Sequence, residues 1–180
     1  MPHFTIQNVV FLIAIVLFTS VTAWTDLRSR KIYNNTTLPM WIAGWIYQAI
    51  FFQWDGILNG LGGFGLGFGL FFVLWIIGSA GGGDVKLMGA LSVWLGGSLT
   101  LKVILASLIF VVIGTLTFLI IGICKEGWKK TRKHYTRAAT TGQLTGTESA
   151  DSRSKRRVMA FAMPVALATW SVLLMFRNQW

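Results

Sequence analysis

The chain has 180 residues, of which 54% are hydrophobic and only 12% charged, with a mean hydropathy of +0.62; soluble domains carry about 25% charged residues. That composition excludes a soluble fold and makes the membrane the solvent. The net charge of +10 implies no nucleic-acid surface, because the bases gather in a few connections between apolar runs instead of forming a groove or a helical face.

Apolar runs long enough to cross a ~30 Å hydrocarbon layer as helices recur along the chain. They predict an all-α membrane protein, a bundle of about six transmembrane helices near residues 4–24, 38–54, 56–78, 85–99, 101–123 and 158–176. The first run, Phe4 to Trp24, is followed and not preceded by positive charge, which reads as a retained helix and not a cleaved signal. The first connection carries Arg28, Arg30 and Lys31, the third Lys86, and the fifth ten bases from Lys125 to Arg157; only Lys102 and Arg177 fall on the other side. Basic connections stay cytoplasmic, so the odd-numbered connections are expected on the cytoplasmic face of the plasma membrane and both termini away from it. Adhesion of these bases to anionic lipid is a secondary expectation.

The whole chain, 1–180, reads as a single polytopic membrane domain. Its fifth connection, 125–157, reads as a basic, flexible cytoplasmic loop, because the stretch Thr140 to Ser154 is too poor in apolar residues to support a core. Half of the twenty glycines fall between Gly60 and Gly83. Gly63/Gly67 and Gly65/Gly69 share the small-xxx-small spacing that lets helix backbones approach in lipid, and predict a tightly packed third helix. Gly81, Gly82 and Gly83 instead interrupt a helix just before an acid.

Only six acids are present: Asp26, Asp55, Asp84, Glu126, Glu148 and Asp151. The last three belong to the hydrophilic connection, where solvated charge explains them, and Asp55 sits at a turn on the far side. Asp26 and Asp84 remain, both at the expected cytoplasmic boundary and both against a membrane segment. Ionisable groups there are expensive to keep and are functional candidates. Structural alternatives exist for each. Asp26 is placed to cap a helix or to pair with Arg28 or Arg30, and Asp84 to serve as an N-cap.

Two carboxylates brought close together hold one proton between them, the state that peptide hydrolysis uses. The ionised member draws a proton from water while the protonated member donates to the carbonyl oxygen and then to the leaving nitrogen. Gly81 and Gly83 are expected to support the site, since residues without Cβ atoms permit a sharp turn and close approach of a substrate strand. Lys86 is expected either to bias the pair toward its singly ionised form or to snorkel as an interfacial lysine. Other chemistries fit poorly. Cys124 is the single cysteine, so neither an intrachain disulfide nor a cysteine-based zinc site is expected. His3 and His134 lie on opposite sides of the membrane without metal-binding company, and neither an HExxH motif nor a Walker-type phosphate loop occurs. No metal or organic cofactor is implied.

The block Gly81-Gly82-Gly83-Asp84-Val85-Lys86-Leu87-Met88-Gly89-Ala90, with Asp26-Leu27-Arg28-Ser29-Arg30-Lys31-Ile32-Tyr33-Asn34 upstream, resembles the type IV prepilin peptidase family, membrane aspartyl proteases of the GxGD type. Tyr33 stands where the family has a proline. The last helix, with Met163-Pro164-Val165-Ala166-Leu167-Ala168, resembles the family's proline- and alanine-rich final segment. The resemblance implies cleavage of the short basic leader of prepilins or pilin-like proteins at the cytoplasmic face, with Asp26 and Asp84 as the catalytic dyad. Larger members add a region with paired cysteines that methylates the new N-terminus. A chain with one cysteine is expected to be a peptidase without methyltransferase activity, similar to the short enzymes of tight-adherence systems or to archaeal preflagellin peptidases. A non-enzymatic transporter or secretion-system subunit is the alternative, but it would place acids near the midplane and often shows inverted repeats, which are not evident here. A presenilin-like protease would pair its GxGD with Tyr-Asp, whereas Thr25 precedes Asp26.

Overall fold

The computed structural model describes residues 5–126 and 161–176, and every regular element among them is an α-helix. The helices are α1 (Ile6–Ser29), α2 (Asn34–Ile76), α3 (Gly82–Glu126) and α4 (Ala162–Met175). Three are long and apolar enough to cross a membrane and α4 is a shorter apolar helix. Helix continuity thus departs from the expected count of about six separate spans. Most of the expected 125–157 loop lies outside the described residues, α3 running on through Lys125 to Glu126.

Helix α1 shows how such a sequence satisfies itself in lipid. The hydroxyls of Thr19 and Thr22 donate to the carbonyls of Ile15 and Phe18, each at 2.7 Å, so neither hydroxyl faces hydrocarbon unpaired. Its buried stripe is Phe11, Ile15, Phe18, Thr19, Thr22 and Asp26, a helical repeat that carries an acid into the protein interior. The helix extends beyond the expected end at residue 24, because Arg28 in the last turn complements the negative end of the helix dipole. Arg30 then closes it in the left-handed conformation (φ 50°), its N–H donating to the Asp26 carbonyl at 2.8 Å. A side chain in that conformation costs about 1 kcal/mol relative to glycine.

The 43 residues of α2 would span about 65 Å if straight, twice a bilayer core. They do not run straight. Gln53 adopts φ 51° and ψ −132°, and the rings of Trp41 and Phe64 lie 5.9 Å apart where a straight helix would separate them by about 35 Å. Helix α2 is therefore a hairpin of two arms. Helix α3 bends back likewise at Gly96 (φ 69°, ψ −179°), bringing the Thr100 hydroxyl to within 3.4 Å of the Ser92 carbonyl oxygen. These single-residue breaks stand where turns near Asp55 and Thr100 were expected.

Each break frees backbone polar groups that lipid will not solvate, and side chains of α2 meet those near Gly96. The Gln48 amide donates to the carbonyls of Val93 (2.8 Å) and Trp94 (3.3 Å), and the Asn59 amide oxygen accepts from the Gly97 N–H at 3.1 Å. Gln48→Leu should therefore leave buried carbonyls unpaired and lower stability by about 1–3 kcal/mol; thermal unfolding of the purified variant reads this directly. An unchanged midpoint would mean that Gln48 does not hold the break.

The glycines divide by face. A Cβ on Gly67 would lie 2.6 Å from the Ser92 Cβ, and one on Gly63 would run into the Ser92 carbonyl oxygen. Gly62, Gly65 and Gly69 have nothing within 4 Å. Close packing thus belongs to the Gly63/Gly67 pair alone, and the expectation for Gly65/Gly69 fails because a helix presents those positions on another face. The first arm of α3 is buried nearly all round, through Val85, Leu87, Met88, Ala90, Leu91, Val93, Trp94 and Leu95, as befits a central helix. Asp84 stands at its start.

Compactness divides the chain into Met1–Phe110 with Ala160–Trp180, which contains this core, and Val111–Met159, whose described part is the end of α3.

Candidate active site

Asp26 occupies the last turn of α1 and is 7% exposed. Its Oδ2 accepts the Ala162 N–H at 2.9 Å. That donor is one of the unpaired N–H groups opening α4, and Phe161 before it supplies no side-chain cap. The first acid of the chain thus anchors the last described helix, 136 residues later. The capping alternative for Asp26 is realised, though toward α4 and not toward a neighbouring helix in sequence.

Asp84 lies in the first turn of α3 and is partly buried. Its Oδ2 accepts the Gly81 N–H at 3.0 Å, the reach from the third helical position back to the capping residue that forms half of a capping box. An acid there also complements the helix N-terminus. The main-chain donors of two separate segments therefore fix one oxygen of each carboxylate. The charge of Asp26 bears on Asp84, and that of Arg30 bears on Asp26 with the opposite sign.

A Cβ on Gly81 would stand 3.2 Å from Asp84 Oδ2, whereas one on Gly83 would make ordinary contact with Ile32 at 3.4 Å. Gly83 against Ile32 is where the two aspartate-bearing blocks meet. The left-handed turn ahead of α3 is made by Gly78 (φ 80°), the only glycine of that stretch in this region of backbone space. Sharp turning therefore belongs to Gly78, and Gly81 acts through the room that it leaves. Gly81→Ala should displace the Asp84 carboxylate by a few tenths of an ångström and lower turnover roughly tenfold, given that ~1 Å misplacement costs about a hundredfold. Gly83→Ala should change turnover by less than about threefold, since it adds only van der Waals contact. Equal effects in the two variants would refute the assignment.

Lys86 does not reach either carboxylate by hydrogen bond. Its Nζ donates to Asn34 Oδ1 at 2.9 Å, tying the start of α3 to the start of α2. Asn34 and the α4 N-terminus are the parts that the sequence does not announce: Asn34 stood in the first aspartate block without an assigned partner, and no local signal points from Asp26 to Ala162. Of the other acids, Asp55 is exposed on α2 and Glu126 ends α3, while Glu148 and Asp151 lie outside the described residues. Among the described residues no three His, Cys, Asp or Glu side chains gather as a metal site would require.

The profile of the type IV leader peptidase family matches residues 10–123, more than half of the chain and inclusive of both aspartates. The chain belongs to the type IV leader peptidase family. No curated protein and no solved structure is similar enough to match. Family membership and the long apolar helices make this a membrane protein of a peptidase family. The matched span ends before α4, so the Ala162 donor to Asp26 lies beyond it.

Proposed function

We propose that the protein is a membrane aspartyl endopeptidase that removes the basic leader of prepilins or pilin-like proteins at the cytoplasmic face of the plasma membrane, with Asp26 and Asp84 as its dyad. The observation that carries this reading is the arrangement of the two carboxylates. They come from different helices whose flanking segments meet at Ile32 and Gly83, and are each oriented through Oδ2 by a backbone N–H. That leaves Oδ1 of each to meet water and substrate.

Two such groups work as one unit with a shared proton. The ionised carboxylate removes a proton from a water as its oxygen attacks the scissile carbonyl carbon, and the protonated partner donates to the carbonyl oxygen. The tetrahedral intermediate then collapses as the peptide C–N bond breaks and a proton passes to the leaving nitrogen. Carboxylates at helix ends suit this chemistry because water reaches that depth while the pilin's apolar helix enters sideways through the bilayer. We read the two arms of α2 and the two arms of α3 as separate crossings, which with α1 and α4 makes six in one polytopic domain. The odd-numbered connections, rich in bases, then lie in the cytoplasm. With Cys124 as its only cysteine the chain itself holds no cysteine pair, and we assign it the hydrolytic step alone. Leader removal from a co-expressed pilin, followed as a mobility shift in wild type and in the Asp26→Asn and Asp84→Asn variants, tests the reading.

A further inference from the structure

Beside the aspartates, the α1–α2 connection and the start of α3 form an open depression of about 440 Å³. Among the described residues, Arg30, Lys31 and Lys86 line it together with Tyr33 and Asn34, and no acid does. Neither Asp26 nor Asp84 belongs to its wall, which adjoins the proposed dyad through Ile32 and Gly83. Three cations share the depression, and one of them, Arg30, also acts on Asp26; the remaining excess of positive charge favours an anion between them.

The donor chemistry points to a phosphate. Arg30 brings the planar fork that matches phosphate oxygens. The Lys86 ammonium spends one of its three donors on Asn34 Oδ1 at 2.9 Å. Arg30 holds its place at a left-handed position (φ 50°) where the backbone favours glycine, so its presence there is explained by what the side chain does. A basic leader peptide has the wrong charge for this depression.

Its surroundings are those of a lipid interface. Tyr33, 47% exposed, stands in the wall, and tyrosines concentrate at headgroup level. Leu27, 53% exposed, lies three residues before Arg30 at the end of an apolar helix. A phosphate seated among the three cations thus has an acyl-facing surface close by. We propose that this depression binds the phosphate of an anionic phospholipid headgroup, held by Arg30, Lys31 and Lys86.

The inference does not rest on peptidase activity, and its test needs none. Purified full-length protein is placed in lipid nanodiscs carrying headgroup-photoactivatable phosphatidylglycerol or phosphatidylcholine, and labelled peptides are mapped. Phosphatidylglycerol should label the segments 30–34 and 83–86 in preference to phosphatidylcholine. In Arg30→Gly/Lys31→Gln this labelling should fall about 25-fold relative to label elsewhere in the same molecules, at about fivefold for each base removed. Arg30→Gly relieves a left-handed side-chain position, so the thermal midpoint of that single variant should be no lower than wild type, separating lost binding from lost folding. Equal labelling by the two lipids, no label at these segments, or full labelling of the folded double variant would each overturn the proposal. Displacement of the label by glycerol 3-phosphate or inorganic phosphate, at ionic strengths where sodium chloride has no effect, would assign the site to a soluble phosphate and overturn the headgroup source.

Discussion

Asp26→Asn and Asp84→Asn are each expected to reduce leader removal from a co-expressed pilin by at least about a hundredfold, the lower end of what general acid–base catalysis contributes. The amide keeps the shape of the carboxyl group and still offers an oxygen to the main-chain N–H that orients it. The new amide oxygen would accept from Ala162 in the first variant and from Gly81 in the second, as the carboxylates do at 2.9 and 3.0 Å. Neither amide can share a proton with the remaining carboxylate or pass one to a leaving nitrogen. Folding should therefore survive while chemistry is lost, and thermal unfolding of the same preparations checks the first half of that statement. Asp26→Ala is a different experiment, since it strips the Ala162 N–H of its acceptor and should also lower stability by about 1–3 kcal/mol. If either Asn variant removed leaders at the wild-type rate, the dyad would be wrongly assigned. Because the two groups act as a pair, the double variant should be scarcely worse than either single one.

Gly63→Ala is expected to give the largest loss of stability, about 3 kcal/mol, at the upper end of the usual cost of overpacking. Its Cβ would collide with the Ser92 carbonyl oxygen and come within 2.8 Å of the Gly96 carbonyl carbon. Both obstacles are main chain, so no side-chain rotation relieves them. They also belong to the segment where α3 turns back, and displacing Ser92 or Gly96 disturbs the bonds that Gln48 and Asn59 make there. Gly65→Ala, two residues along the same helix, meets nothing within 4 Å and should raise stability slightly, by up to about 1 kcal/mol from helix propensity. The comparison uses one chemical change at two neighbouring positions. Equal thermal midpoints for the two variants would refute the close approach of the α2 and α3 backbones at Gly63.

The two candidate acids were legible from burial cost together with membrane side. A carboxylate next to an apolar run needs an explanation, and of the three acids outside the hydrophilic connection Asp55 was set aside because it falls on the far side. The glycine pattern was legible only by half, because spacing of four residues marks a face without saying what lies opposite. Gly63/Gly67 faces Ser92 and Met88 on α3, whereas Gly65/Gly69 faces open space. Lys86 was read either as a neighbour of the acid pair or as a snorkelling interfacial lysine, and its ammonium goes to Asn34, 52 residues away. An interfacial lysine has a long stem and several acceptors within reach, and sequence distance does not rank them.

Composition and hydrophobic run length, unaided, determined that the chain is helical and built for lipid, because a backbone without water must satisfy its own hydrogen bonds. They also placed Asp26 and Asp84 at helix ends beside apolar segments. Tertiary structure alone decided what holds those acids: Asp26 by the first N–H of α4 and Asp84 by the N–H of Gly81. It also decided that two expected turns are single-residue breaks at Gln53 and Gly96. The physical reason is the same in both cases. A hydrogen bond between distant segments, like a break whose freed groups are met by side chains of another helix, depends on which surfaces meet, and periodicity along one helix carries no record of its partner.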